Sequence, residues 1–342
     1  MDQYLLIIVA FAVAFIAALV IGKILIPVLK KLHFGQQILT EEGPSWHASK
    51  QGTPTMGGFI FIIAVLIAYF ATAFSYYTQG NTISSAIPLP TGTLTGLVVA
   101  LLFGFMGFID DFVKVAKKRN LGLTVVQKIL IQIFISAAYL VFLGIQSGGD
   151  TRMLIPFTQI WVDFGYFYYV IALVLIVGFT NAVNLTDGID GLAGSVTVPV
   201  CLFFTVASIG GVFGNTAMPE TAILAVSVCG GLLGFLVYNW HPAKVFMGDT
   251  GSMFLGGMVV VLAFELKIPL MLIVVGFIYL AEAASVMIQV AYFKITHGKR
   301  LFKMPPIHHS FELSGYSEVK ICLLFTSVTV ILVALSLLWL LL

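Results

Sequence analysis

Two adjacent carboxylates, Asp110 and Asp111, close an uncharged apolar run from Leu94 to Ile109, and four cations follow: Lys114, Lys117, Lys118 and Arg119. Paired carboxylates beside a low-dielectric segment repel one another, and a divalent cation removes that cost. Oxygen ligands suit Mg²⁺, which takes one or two carboxylates and completes its shell with water and substrate phosphates. The neighbouring lysines suit an anion. Aspartate recurs twice at the edges of other apolar runs. Asp187 and Asp190 lie in Asn184-Leu185-Thr186-Asp187-Gly188-Ile189-Asp190. Three residues apart, they share a face on a helical turn, although Asx and Gly residues also build ordinary tight turns. Asp249 precedes Thr250, Gly251 and Ser252, where it either joins a site or caps the helix that follows. Carboxylates for a metal and cations for phosphates, on one side of a helical bundle, describe phosphoryl-transfer chemistry. The plain alternative is charged helix ends emerging into water.

The elements that must position these residues are membrane helices. The chain is 60% hydrophobic and 9% charged, with a mean hydropathy of +1.07. A soluble domain carries about a quarter charged residues, so a water-soluble fold is excluded. About 20 apolar residues cross a bilayer core as a helix. Ten such runs are read here, roughly 4–27, 56–77, 94–110, 127–145, 165–182, 194–213, 220–238, 251–266, 269–292 and 319–341, the third and eighth being shortest. The expected fold is an all-α polytopic bundle forming one unit over residues 1–342. Strict alternation of polarity is absent, which argues against a transmembrane barrel. The first run is too long for a signal-peptide core and reads as a retained span. Cys201, Cys229 and Cys322 all fall in apolar runs and offer neither a disulfide framework nor a metal-ligand spacing.

Orientation follows from the basic residues. With ten spans, 15 of the 17 Lys and Arg fall on the side reached after the first helix, and only Arg152 and Lys267 fall on the other. The first side is therefore expected to be cytoplasmic, in a bacterial plasma membrane, with both termini outside. All five aspartates named above fall on that side, open to cytosol and lipid together. Gly52-Thr53-Pro54-Thr55-Met56-Gly57-Gly58 is also there. A small, hydroxyl-rich helix start can present N–H groups to an anion; helix entry and close packing explain it equally well. Trp161, Tyr166, Tyr168 and Tyr169 read as an interfacial aromatic belt on the outer side. Glu282 lies inside the ninth run. An intramembrane acid is a functional hypothesis by default, with a structural hydrogen bond or bend favoured here. His308 and His309 lack a Cys or acid at zinc-ligand spacing, so phosphate binding or proton transfer suits them better.

Five stretches, in order, carry a family resemblance: Lys50 to Gly58, Gly107 to Lys114, Asn181 to Ala193, Val245 to Gly251 and Pro305 to Glu312. Together they resemble the phospho-N-acetylmuramoyl-pentapeptide transferase family (MraY), within the polyprenyl-phosphate hexosamine-1-phosphate transferases. The resemblance implies transfer of phospho-MurNAc-pentapeptide from UDP-MurNAc-pentapeptide to undecaprenyl phosphate, giving lipid I and UMP in peptidoglycan synthesis. It implies Mg²⁺, a homodimer and no nucleic-acid partner. By position, Asp110, Asp111 and Asp249 match catalytic aspartates and metal-contacting positions, and His308 joins the catalytic group. Asn184, Asp187, Gly188, Ile189 and Asp190 match a nucleotide-binding loop, with Asp190 placed for the uracil edge. Lys50, Thr55, Lys114, Lys118, Lys128 and His309 match polar positions around substrate. Ser310 stands where the family usually has a third histidine.

Two mechanisms fit these residues. Either the lipid phosphate attacks the donor's β-phosphorus directly, or an aspartate attacks first and forms a covalent phospho-sugar enzyme. A relative using another UDP-N-acetylhexosamine is the nearest alternative activity. A cation-coupled transporter is the alternative from another class, although its site is expected near the bilayer midplane rather than at one face.

Overall fold

In the computed structural model, residues 3–32, 50, 52–78, 91–117, 122–212 and 218–341 are described. The apolar runs fold as α1 (Gln3–Lys31), α2 (Gly58–Thr78), α3 (Thr91–Ala116), α4 (Val125–Gln146), α5 (Phe167–Thr186), α6 (Leu192–Gly210), α7 (Pro219–Asn239) and α8 (Gly248–Glu265). They continue with α9 (Leu272–Val275), α10 (Phe277–Ile295), α11 (Ile307–Glu312) and α12 (Glu318–Leu341). Helices dominate because every backbone polar group in lipid must be satisfied within its own segment. Among the described residues, nine helices are long and apolar enough to span a membrane, so the chain is a multi-pass membrane protein.

The eighth expected run, α8, is the one that differs in kind. It is 18 residues long, starts beside Asp249 and ends at Glu265. Every residue from Thr250 to Phe264 is buried. It is a central strut wrapped by other helices rather than a lipid-facing span. Its entry is set by the segment before α2. Phe246 N–H donates to Pro54 O at 2.8 Å, Gly57 N–H to Phe246 O at 2.8 Å and Gly58 N–H to Met247 O at 3.0 Å. The glycine-rich helix start is thus a backbone splice onto the entry of α8, and its Gly57 and Gly58 N–H groups are not free for an anion. A Cβ on Gly58 would lie 2.4 Å from the Cα of Gly251, so α2 and α8 meet backbone to backbone. Around this centre α6 and α7 are mostly buried. The faces of α1, α4, α10 and α12 carrying Ile8, Phe134, Met287 and Leu338 are exposed for lipid.

Three boundaries depart from the sequence expectation. α3 does not stop at Ile109 but runs on to Ala116, because Asp110, Asp111 and Lys114 find partners across the bundle and need no exit to water. The ninth run breaks. Pro269–Met271 form a 3₁₀ turn, α9 follows, and Gly276 separates it from α10. The loop between α4 and α5 holds a small antiparallel hairpin, Arg152–Leu154 (β1) with Trp161–Asp163 (β2). Asp150 pins it, accepting from Arg152 at 2.8 Å and from Lys267 at 2.9 Å. In the expected aromatic belt, Tyr166 is exposed, while Tyr168 and Tyr169 meet edge to face.

Candidate active site

The three aspartates expected to work together do converge at one end of the bundle. The last turns of α3 present Asp110, Asp111 and Lys114. Lys114 Nζ lies 2.6 Å from Asp110 Oδ2, 3.1 Å from Asp249 Oδ2 and 3.9 Å from Asp111 Oδ1. The first turn of α4 brings Lys128, fixed by a reciprocal capping box. Gln127 N–H donates to Thr124 Oγ1 at 3.2 Å, and Thr124 N–H donates to Gln127 Oε1 at 2.9 Å. Lys128 Nζ then sits 3.0 Å from Asp110 Oδ2 and 2.9 Å from Asp249 Oδ2. From the last turn of α5, Asn184 donates to Asp249 Oδ1 at 3.0 Å and to Ser252 Oγ at 2.8 Å. Asp110 Oδ1 accepts from Leu123 N–H at 2.7 Å.

Asp249 is not the cap of α8; Asp111 is. Reaching over from α3, it accepts from Asp249 N–H at 3.2 Å, from Thr250 N–H at 2.9 Å and from Thr250 Oγ1 at 2.8 Å. An anion at a helix N-terminus satisfies orphan donors and lies at the positive end of the dipole. This frees the Asp249 carboxylate to face the two lysines. Gly248, at φ +72°, makes the arrangement possible, since a Cβ there would lie 2.6 Å from Asp111 Oδ2 and 2.7 Å from Thr55 Oγ1. Thr55 is buried behind it.

One carboxylate oxygen from each of Asp110, Asp111 and Asp249 can be chosen so that all lie within 4.8 Å of one another. These are hard oxygen donors, suited to a divalent cation of the Mg²⁺ type. Three carboxylates against two ammonium groups leave the cluster formally one negative charge in excess. Asp187, in the turn after α5, lies beside that excess and responds to it. Burial, and then the Asp249, Asp111 and Asp190 carboxylates, hold its carboxyl well above the ordinary range, against a hydrogen bond from Gly248 N–H. Within this group lie the expected residues Asp110, Asp111, Asp249, Lys114, Lys128, Asn184 and Asp187. Lys118 lies outside the described residues.

Asp190 and Lys50 belong to a second cluster. Lys50 Nζ bridges Asp190 Oδ1 at 2.7 Å and Glu318 Oε2 at 2.6 Å. Asp190 Oδ2 contacts His241 Nδ1 and accepts from Ala243 N–H, both at 3.0 Å. Glu318 Oε2 also accepts Asp190 N–H at 2.9 Å. Both carboxylate oxygens of Asp190 are therefore engaged within the protein. Ile189 beside it is buried in the core, while Gly188 is exposed. Glu318 was missed by sequence reasoning. Its only signal is that of a lone acid opening α12. His241 sits in a stretch read as a loop.

A third group surrounds the two histidines. His308 Nδ1 lies 3.0 Å from Glu282 Oε2, and both side chains are almost fully buried. His309 Nδ1 lies 2.6 Å from Glu312 Oε2. Ser310, in the place of a third histidine, donates to Met304 O at 2.6 Å and is a loop staple. One turn deeper than Lys128 and Asn184, Gln132 and Asn181 form a reciprocal amide pair. Gln132 donates at 3.1 Å and Asn181 at 2.7 Å.

A helical membrane protein with convergent carboxylates and lysines at one end is the architecture of a membrane-embedded transferase. The profile of glycosyl transferase family 4 matches residues 93–267, which include the whole carboxylate cluster. The phospho-N-acetylmuramoyl-pentapeptide-transferase signature 1 matches residues 50–62, the splice onto α8. The chain is 43% identical over 324 residues to the phospho-N-acetylmuramoyl-pentapeptide-transferase of Clostridioides difficile, covering 95% of this chain and 94% of that one. It is 45% identical over 325 residues to that of Clostridium perfringens, covering 95% and 96%. With that of Listeria monocytogenes it shares 44% over 321 residues, covering 94% of each. The chain belongs to the phospho-N-acetylmuramoyl-pentapeptide-transferase family, and it is an enzyme.

Proposed function

We propose that the chain moves phospho-MurNAc-pentapeptide from UDP-MurNAc-pentapeptide to undecaprenyl phosphate, releasing UMP and giving lipid I. The observation that carries this reading is the convergence of Asp110, Asp111 and Asp249 with Lys114 and Lys128 at the end of the bundle rich in basic residues. In the reaction, an oxygen of the lipid phosphate bonds to the donor's β-phosphorus. The bond from that phosphorus to the bridging oxygen breaks, and the electron pair leaves on UMP. Asp110, Asp111 and Asp249 would hold Mg²⁺, which when bound offsets charge on the diphosphate and the leaving group. Lys114 and Lys128 supply fixed positive charge to the same phosphates, and Asn184 holds the Asp249 carboxylate in place. Direct displacement is favoured over an aspartyl intermediate. Asp111 is committed to the N-terminus of α8 and Asp110 to Leu123 N–H and the lysines, which leaves neither an unencumbered nucleophilic oxygen. The basic bias supports a cytoplasmic orientation of this end in a bacterial cell, where the soluble donor would meet the lipid acceptor at the plasma membrane. A homodimer completes the reading.

The test is UMP release from purified protein in detergent with UDP-MurNAc-pentapeptide, undecaprenyl phosphate and Mg²⁺. Release is expected to require the lipid, and Asp249→Ala is expected to lower it by at least about 10²-fold, the scale of losing one electrostatic group aimed at developing charge. Turnover of UDP-N-acetylglucosamine in place of the pentapeptide donor would overturn the donor assignment. UMP release that is indifferent to lipid would overturn the acceptor.

A further inference from the structure

Glu282 and His308 are buried together outside the carboxylate cluster, and the proposed reaction has so far used neither. Glu282 is 0% exposed on α10, and His308 is 0% exposed on α11. The break at Gly276 sets α10 off as a separate helix, and Glu282 lies in its second turn. Besides Nδ1 at 3.0 Å, Glu282 Oε2 lies 3.4 Å from His308 N–H. One carboxylate oxygen thus meets both the ring and the start of α11. The ring is further fixed by an edge-to-face contact with His309 at 4.2 Å between centroids.

The far side of the ring faces the turn that joins α5 to α6. A Cβ on Gly188 would fall 2.2 Å from His308 Nε2 and 2.5 Å from Cε1. Gly188 lies between Asp187, which faces the carboxylate cluster, and Asp190, which faces Lys50. His308 Nε2 is buried and has no hydrogen-bond partner among the described residues. A buried imidazole nitrogen without a partner is costly. The Nδ1 contact is short but not in line for a hydrogen bond, and Glu282 Oε1 is likewise without a partner. Catalytic hydrogen bonds often stand in this loose form before substrate binds and tighten afterwards.

We infer that Glu282 is a positioning residue: it takes the Nδ1–H of neutral His308 and so presents the Nε2 lone pair, across the Gly188 turn, to a hydroxyl or amide N–H of the bound donor. This rests on the proposed transferase reading. The carboxylate selects which ring nitrogen carries the proton, a selection on which a neutral histidine's role depends. His308 Nε2, buried against Gly188, meets the donor only as that turn gives way; Glu282 acts only through His308.

A double-mutant cycle tests this, with kcat and KM for UMP release and the thermal midpoint in detergent measured for each protein. Glu282→Gln, His308→Gln and the double variant are compared with wild type. Glu282→Gln is expected to lower turnover about 10–100-fold, the scale for losing a partner that orients a histidine. In the His308→Gln background the same change is expected to cost less than twofold, with thermal midpoints alike. Full additivity of the two losses would overturn the inference, as would wild-type turnover by Glu282→Gln. If Glu282→Gln fails to fold, Glu282→Asp keeps the charge but withdraws it by a methylene. A folded Glu282→Asp with reduced turnover that does not fall further on adding His308→Gln supports the inference. Loss of fold in both Glu282 variants overturns it in favour of a purely structural carboxylate. Absence of UMP release by wild type would sink the transferase reading itself, a different result from an active wild type with an unaffected Glu282→Gln.

Discussion

Gly58→Ala adds one methyl group to a residue that touches no carboxylate, and it is expected to disable the site. A Cβ at Gly58 would meet Gly251 Cα at 2.4 Å, Gly251 N at 2.5 Å and Met247 O at 3.2 Å. Ordinary contact begins near 3.4 Å, so α2 and α8 must part by about 1 Å at their entries, since backbone cannot swing aside as a side chain can. Two of the three splice hydrogen bonds, from Gly57 N–H and Gly58 N–H, lie on this seam. Beyond it are Gly248, Asp249 and the Thr250 N–H that Asp111 accepts. Overpacking of this kind costs about 1–3 kcal/mol. A displacement of about 1 Å at a catalytic group costs on the order of 10²-fold in rate. Thermal unfolding in detergent and the UMP-release assay are run on Gly58→Ala and on Gly178→Ala. Gly178 is a helical position in α5 with nothing within 4 Å of a new Cβ, where alanine is expected to be neutral or to stabilise by about 0.5–1 kcal/mol. Gly58→Ala with a wild-type midpoint and wild-type kcat would refute the claim that this seam holds Asp249 in place.

Other outcomes follow from the same geometry. Asp187 has a carboxyl raised by burial and neighbouring carboxylates, so the folded protein holds its proton more tightly than the unfolded chain. Stability then falls as pH rises from the ordinary carboxylate range through the raised value. Without divalent cation, Asp187→Asn should raise the thermal midpoint above that window and leave it unchanged at a pH below it; no gain at alkaline pH would contradict the assignment. Gln132→Leu should cost about 1–3 kcal/mol by stranding the Asn181 amide in the bundle. Gln132→Leu/Asn181→Leu should cost less than the sum of the single changes, and strict additivity of the thermal shifts would argue that the pair is not coupled.

What the sequence disclosed and what it withheld separate along physical lines. The membrane class, the helical content and the carboxylate group were legible because hydrophobic runs are local and because charge at the edge of an apolar segment is costly enough to mark a purpose. Pairing across the chain was not. Glu318 meets Lys50 and Asp190 at separations of 268 and 128 residues, and no local pattern foretells either contact. Asp249 was read as a possible cap because an acid three residues or fewer from a helix start usually caps its own helix. That rule fails because a carboxylate from another helix, Asp111, does the capping. The ninth run broke at Gly276 where apolarity is continuous, since composition alone does not register a bend that tertiary contacts impose.

The burial of α8 bears on why the site is built at its N-terminus. Asp249 must bring a full charge to an edge where helices that face lipid are free to tilt. α8 has no lipid-facing residue between Thr250 and Phe264. Its entry is fixed by backbone bonds to residues 54–58, and its first N–H groups by Asp111. The lysines answering Asp249 come from α3 and α4, and the amide orienting it comes from α5. The charge cluster is thus anchored to a helix buried on all sides and completed by its neighbours. Electrostatic stabilisation of a phosphoryl transfer needs dipoles and charges already in place before the reaction. A buried strut supplies that where a peripheral helix cannot, because α8 is held by packing and hydrogen bonds on every side.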